Sequence, residues 1–152
     1  MKKTFMLAVV ILMGIGKSYA LPESALLGLW KNQSGDGLIE ITKKQGKYSG
    51  TITGSPDKKD RKDKNNPDPK LQERSLRGVQ IMGDLTYRSE DSWEDGWIYD
   101  PNNGKTYQCN VTLVDENTLE IRGYVGIALF GRTEVWKRNA DKAIKSPIGA
   151  QQ

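Results

Sequence analysis

Beyond residue 20, the apolar positions recur with a period of two in short segments, and turn formers separate the segments. This is the pattern of strands that bury one face. Leu21 to Leu27 is a short lead that predicts one helical turn, and Gly28 to Lys31 begins the first strand. Ser34-Gly35-Asp36-Gly37 is a turn whose glycines can take positive φ. Leu38 to Lys43 and Tyr48 to Ser55 read as the next two strands, joined by Gln45-Gly46-Lys47. Val79 to Leu85 and Ser92 to Asp100 follow, the latter with Trp93, Trp97 and Tyr99 on one parity. Asp100-Pro101-Asn102-Asn103-Gly104 is a hairpin turn into Thr106 to Val114, where Tyr107, Cys109, Val111 and Leu113 alternate with polar residues. Asp115-Glu116-Asn117 turns the chain into Thr118 to Val125, and Gly131 to Arg138 is the last strand.

About eight short strands joined mostly by tight turns, with no long helix, predict an all-β fold. Consecutive hairpins favour antiparallel neighbours, and closure into an up-and-down barrel removes the exposed sheet edges. A two-sheet sandwich is the competing layout. The pattern stops between Pro56 and Lys70, which contains no apolar side chain except its prolines. Within that stretch Asp57 to Lys64 is an unbroken run of eight charged residues, five basic and three acidic, read as a solvated surface loop whose signs largely cancel. Leu71 to Ser75 predicts one helical turn, and residues 139–152 have no usable periodicity and read as a loose tail.

The first twenty residues have the order of a secretory signal. Met1-Lys2-Lys3 is positive, Thr4 to Gly16 is apolar, and Ser18-Tyr19-Ala20 puts small residues at the −3 and −1 positions of a cleavage site. The apolar run is short for a membrane span, which needs roughly 20 residues. The expectation is cleavage after Ala20, a barrel domain over residues 21–138, and a periplasmic protein with no transmembrane span. All 19 acidic residues but only 20 of the 23 basic ones lie beyond residue 20, so the chain from Leu21 carries +1 rather than +4. The high pI therefore partly reflects the signal segment and does not indicate a nucleic-acid partner.

Composition narrows the chemistry. The 152 residues include no histidine, which excludes Ser-His-Asp and Cys-His nucleophile pairs and histidine-ligated metals. The single cysteine, Cys109, shares parity with Val111 and Leu113 and reads as a small buried apolar residue. Glu90, Asp91, Glu94 and Asp95 lie on a turn and a strand start, where acids are ordinarily solvated, and Asp100 to Lys105 has too few carboxylates for calcium. No metal and no cofactor is implied, and the chain is read as non-enzymatic.

Gly28-Leu29-Trp30 at the start of the first strand, with Arg138 closing the last, resembles the lipocalin and wider calycin arrangement. The resemblance implies structural roles for Gly28, Trp30 and Arg138, the indole packing across a closed barrel floor beneath the guanidinium. A second set of motifs is more specific. Asn66-Pro67-Asp68-Pro69, Leu76-Arg77-Gly78, Ile98 to Tyr107, Arg122 to Gly126 and Leu129 to Thr133 are similar, in order, to the DUF2147 family of small secreted bacterial proteins of unknown function. That resemblance runs from about Gly28 to Arg138 and implies a lipocalin-like barrel in a Gram-negative envelope, with no activity attached. Some members carry a cysteine pair in the charged loop; this chain has only charged residues there, so no role of that pair carries over.

Two functions remain open on the sequence. One is a binding protein that holds a small, partly apolar or amphiphilic molecule in the lumen. Its expected lining is Ile39, Ile52, Ile81, Trp93, Trp97, Tyr99 and Trp136, with Arg132 as a polar anchor. The other is an envelope interaction or structural factor with a filled barrel that binds through its loops. Lumen volume distinguishes them: a cavity of roughly several hundred Å³ supports the carrier, and a filled interior supports the interaction factor. On the last strand Arg132, Glu134, Trp136 and Arg138 share one parity, and Trp136 is expected to face inward because Arg138 then reaches Trp30.

Overall fold

A computed structural model describes residues 21–140. The segment read as a secretory signal and most of the stretch read as a C-terminal tail lie outside the described residues. Eight strands form a closed antiparallel barrel in sequence order: β1 (Gly28–Lys31), β2 (Leu38–Lys44), β3 (Lys47–Gly54), β4 (Gln80–Ser89), β5 (Ser92–Asp100), β6 (Lys105–Asp115), β7 (Thr118–Tyr124) and β8 (Arg132–Arg138). Every strand thereby has a neighbour on both sides. The seam between β1 and β8 is short, with Trp30 opposite Arg138 and Lys31 opposite Lys137.

The strands follow from the alternation. In β6, Cys109, Val111 and Leu113 are fully buried in the lumen, while Gln108, Thr112 and Val114 are exposed. In β7 and β8, Leu119 sits opposite Trp136 and Ile121 opposite Glu134, so Trp136 faces inward and is buried. A 3-10 turn, Glu23–Leu26, closes one end of the barrel and buries Leu26. Above it Trp30, Tyr48, Trp93, Leu113, Leu119 and Trp136 fill the lumen. Tyr48 and Trp93 meet edge to face, with ring centres 5.9 Å apart. Burial without an ionic partner pushes the Cys109 thiol up to about 12, so it remains a thiol.

The floor shows why Gly28, Trp30 and Arg138 occur together. Trp30 is fully buried and donates its indole N–H to the Leu26 carbonyl at 2.9 Å. The Arg138 guanidinium lies 4.1 Å from the centre of the Trp30 ring. Gly28 has φ +119, and a Cβ there would stand 3.0 Å from Arg138 Nη1, so the arginine needs a glycine at this point.

Strand β5 departs from simple parity. Asp95 takes φ +62 and the register shifts between Trp93 and Gly96, which is a β-bulge. Trp93 and Gly96 therefore both face inward, and Trp97 is turned outward. Trp97 covers Gly83, where a Cβ would stand 2.8 Å from the indole, and donates its N–H to Asp84. Tyr99, opposite exposed Thr106, also points outward. The expected lumen positions of Trp97 and Tyr99 are thus corrected by one inserted residue.

The charged loop between β3 and β4 is built, not simply solvated. Asp63 is fully buried beneath it. Its carboxylate accepts hydrogen bonds from the Tyr99 hydroxyl at 2.6 Å, Asn66 Nδ2 at 2.8 Å, and Arg74 Nε and Nη2 at 2.9 and 2.7 Å. Burial alone would raise the Asp63 carboxyl, but the bonds from Tyr99 and Asn66 and the charge of Arg74 hold it below its usual range. Tyr99 is raised to about 12, by burial first and by its bond to that carboxylate second. The loop then rests on the β5–β6 turn, where Asn65 Nδ2 donates to the carbonyls of Pro101 and Asn102.

Candidate functional site

The barrel end opposite Trp30 is open, and the turns and loops there decide what can enter. A cavity of about 90 Å³ lies at this end between β2, β3, the start of β4 and the charged loop. Its apolar wall is Ile39, Ile52, Ile81 and Leu76. Ile39 and Ile52 face each other across the β2–β3 ladder. A register shift beside Gly50 lets both Ile81 and Met82 be buried on β4. Gly50 is closely packed: a Cβ would stand 3.0 Å from Ile39 and 3.1 Å from Met82, and both side chains would have to shift.

The mouth of the cavity is polar. Lys59, Arg61 and Arg77 line it with Asp36, Asp60, Asn32, Ser55 and Asn102. Most of these charges are already engaged. Arg61 pairs with Asp57 through two bonds of 3.1 and 2.9 Å. Asp60 accepts from the Ser75 hydroxyl. Asp36 accepts from Asn32 Nδ2 at 2.8 Å and the Ser34 hydroxyl at 2.5 Å; burial pushes its carboxyl up, but those bonds and the nearby Arg61 hold it below its usual range. Arg77 makes no ion pair among the described residues. It is the lining cation best able to receive an anion.

Three of the eight residues expected to line a ligand site, Ile39, Ile52 and Ile81, are brought together here. Trp93 and Trp136 lie deeper, in the filled floor, where the Trp136 indole N–H reaches Glu134 at 3.3 Å. Trp97 is on the outer face, and Tyr99 is under the charged loop. Arg132 shares the inward parity of Trp136 but sits at the open rim and is exposed, with no ion pair among the described residues. The cations at the cavity are Lys59, Arg61 and Arg77, which the sequence placed only in a solvated loop and its end. No periodic signal marks them, because the loop's position depends on the Asp63–Tyr99 contact.

The cavity is far smaller than ordinary ligand pockets, which run from about 300 to 1,000 Å³, so the expected carrier that encloses a whole ligand in its lumen does not have the volume it needs, and the lumen is filled as in the alternative reading. It matches roughly three waters' share of liquid volume. A long acyl chain does not fit; a short stub of a few heavy atoms does.

Comparison with known proteins agrees with the geometry. Residues 28–138 match the family described as "Uncharacterized protein conserved in bacteria (DUF2147)". No curated protein matches. Among solved structures, the chain is similar to protein HP1028 from the human pathogen Helicobacter pylori, which belongs to the lipocalin family. The identity is 32%, the match covers 76% of this chain and 84% of that one, and the TM-score is 0.69. The chain therefore belongs to the DUF2147 family, and its closed eight-stranded barrel is lipocalin-like.

Proposed function

We propose that the protein is a non-enzymatic binder of a short amphiphilic anion, exported to the periplasm. The apolar stub of the ligand enters the cavity beside Ile39, Ile52 and Ile81, and its acidic group stays at the mouth against Arg77. The observation that carries this reading is the pairing of an apolar pocket with a cation that has no acidic partner among the described residues. A lipocalin-like barrel supports it at the level of fold. The anchor assigned here is Arg77 rather than Arg132, because Arg77 lines the cavity and Arg132 does not.

The test is titration calorimetry with linear carboxylates of increasing length, each paired with its neutral amide. Affinity should peak at a short chain, favour the acid over the amide, and weaken about tenfold, or ~1.4 kcal/mol, in Arg77→Gln. Equal affinity for acid and amide, or no change in Arg77→Gln, would overturn the assignment.

A further inference from the structure

The open end carries a second feature that the cavity does not use. Among the described residues five large apolar side chains are exposed, and four of them, Val125, Ile127, Leu129 and Phe130, fall within the connection between β7 and β8, residues 125–131. Leu129 and Phe130 are 76% and 80% exposed. The loop is pinned to β7 and β8. Arg122 Nε donates to the Ala128 carbonyl at 2.8 Å, Nη2 to the Leu129 carbonyl at 2.9 Å, and Nη1 to the Thr133 hydroxyl at 2.9 Å. Gly131 packs so close to β7 that a Cβ would meet the Gly123 carbonyl at 2.5 Å. Gly126, with φ +79, makes the turn that starts the loop.

The charge of the barrel is polarised along the same axis. The open-end segments, residues 32–37, 55–79, 100–105 and 122–132, hold eleven Lys and Arg against seven Asp and Glu. The rest of the described chain holds seven against eleven. An exposed apolar loop at the barrel end that carries the excess positive charge fits an anionic bilayer, with the apolar side chains below the headgroups and the cations among the phosphates. Two copies meeting at this end would oppose like charges, which disfavours a second copy as the occupant.

We propose that the protein docks on anionic phospholipid membranes through the 125–130 loop, with the mouth of the barrel facing the lipid. The proposal stands independently of the ligand assigned above. The experiment is vesicle flotation of the chain from Leu21, the form that the proposed export leaves, with phosphatidylglycerol-containing vesicles and with purely zwitterionic ones, at low and high salt. Wild type should float with the anionic vesicles, and high salt should reduce the bound fraction severalfold. The double variant Leu129→Asp, Phe130→Asp should lose at least tenfold in partitioning. Its melting temperature should be unchanged, because both side chains are exposed. Arg132→Glu should weaken binding to anionic vesicles only. Undiminished flotation of the double variant would overturn the proposal, as would equal binding to zwitterionic vesicles. So would concentration-dependent self-association that the same variant abolishes, which would assign the loop to a second copy.

Discussion

Removing the part-buried Arg138 side chain should weaken the closure of the barrel. Arg138 crosses the seam where only two residue pairs join β8 to β1. It stacks on Trp30 at 4.1 Å and donates to three carbonyls: Leu27 at 2.9 Å, Ala25 at 2.5 Å and Glu116 at 2.6 Å. The stack contributes about 1–2 kcal/mol in this half-buried setting. Each bond from a charged donor contributes about 1 kcal/mol after discounting for partial exposure, and the three are not additive. Arg138→Ala should therefore cost about 3–4 kcal/mol, part of it from leaving the Leu27 and Ala25 carbonyls without a donor. Urea denaturation should show this as a lower midpoint at unchanged slope. For a domain of this size the melting temperature should fall by roughly 10–15 °C. Arg138→Lys keeps the charge but not the planar fork and should recover less than half of the loss. A double-mutant cycle with Trp30→Leu should give a coupling of about 0.5–2 kcal/mol. A loss below about 1 kcal/mol in Arg138→Ala, or a coupling near zero, would mean that the seam is held by its backbone pairs alone.

Other outcomes follow from the same structure. Trp30→Ala should cost about 3–5 kcal/mol by opening a cavity in the floor, measured by the same denaturation series. Asp63→Asn should cost about 2–3 kcal/mol at neutral pH and expose the charged loop to trypsin near Lys62 and Lys64. Because the Asp63 carboxyl is lowered in the fold, its stabilisation is complete above its unfolded value and is lost as pH falls through the folded one. The melting curves of wild type and Asp63→Asn should therefore converge below about pH 4, and a gap that stays constant would contradict the buried-pair reading. Gly104→Ala should release the same loop from the β5–β6 turn, since its Cβ would meet the Asn65 carbonyl at 1.9 Å and φ is +70; loss of protection against trypsin checks it. The exported protein should begin at Leu21, and an intact Met1 in sequenced envelope fractions would exclude cleavage.

The strand framework was legible because alternation is a local property. The eight segments agree with the observed strands to within a residue or two at most ends, and the extra length of β4 adds Thr86 to Ser89. β6 in particular shows its inward set, Cys109, Val111 and Leu113, directly in the sequence. The failures lie where one residue breaks the period or where a loop meets the barrel. Asp95 in the left-handed region inserts a bulge, and every side chain after it on β5 changes face. Arg132 shares the parity of the inward Trp136, but parity says nothing about depth, and at the start of the strand Arg132 is exposed. The burial of Asp63 required knowing that Tyr99 faces outward, so it could not be read from a run of eight charges. Ile39, Ile52 and Ile81 were legible as lining because they lie on the strands, whereas Arg77 reaches the cavity only through the path of the loop.

The ligand site is tested most directly by mapping a short carboxylate onto the protein in solution. Backbone and isoleucine-methyl chemical shifts should be followed through a titration with the acid that binds best in calorimetry. The shifts should concentrate on Ile39, Ile52, Gly54, Ile81 and Arg77, saturate with the calorimetric affinity, and disappear in Arg77→Gln. Shifts that gather on Val125 to Phe130, that scatter over surface lysines without saturating, or that fail to appear at all would contradict a binding site at the mouth of the barrel.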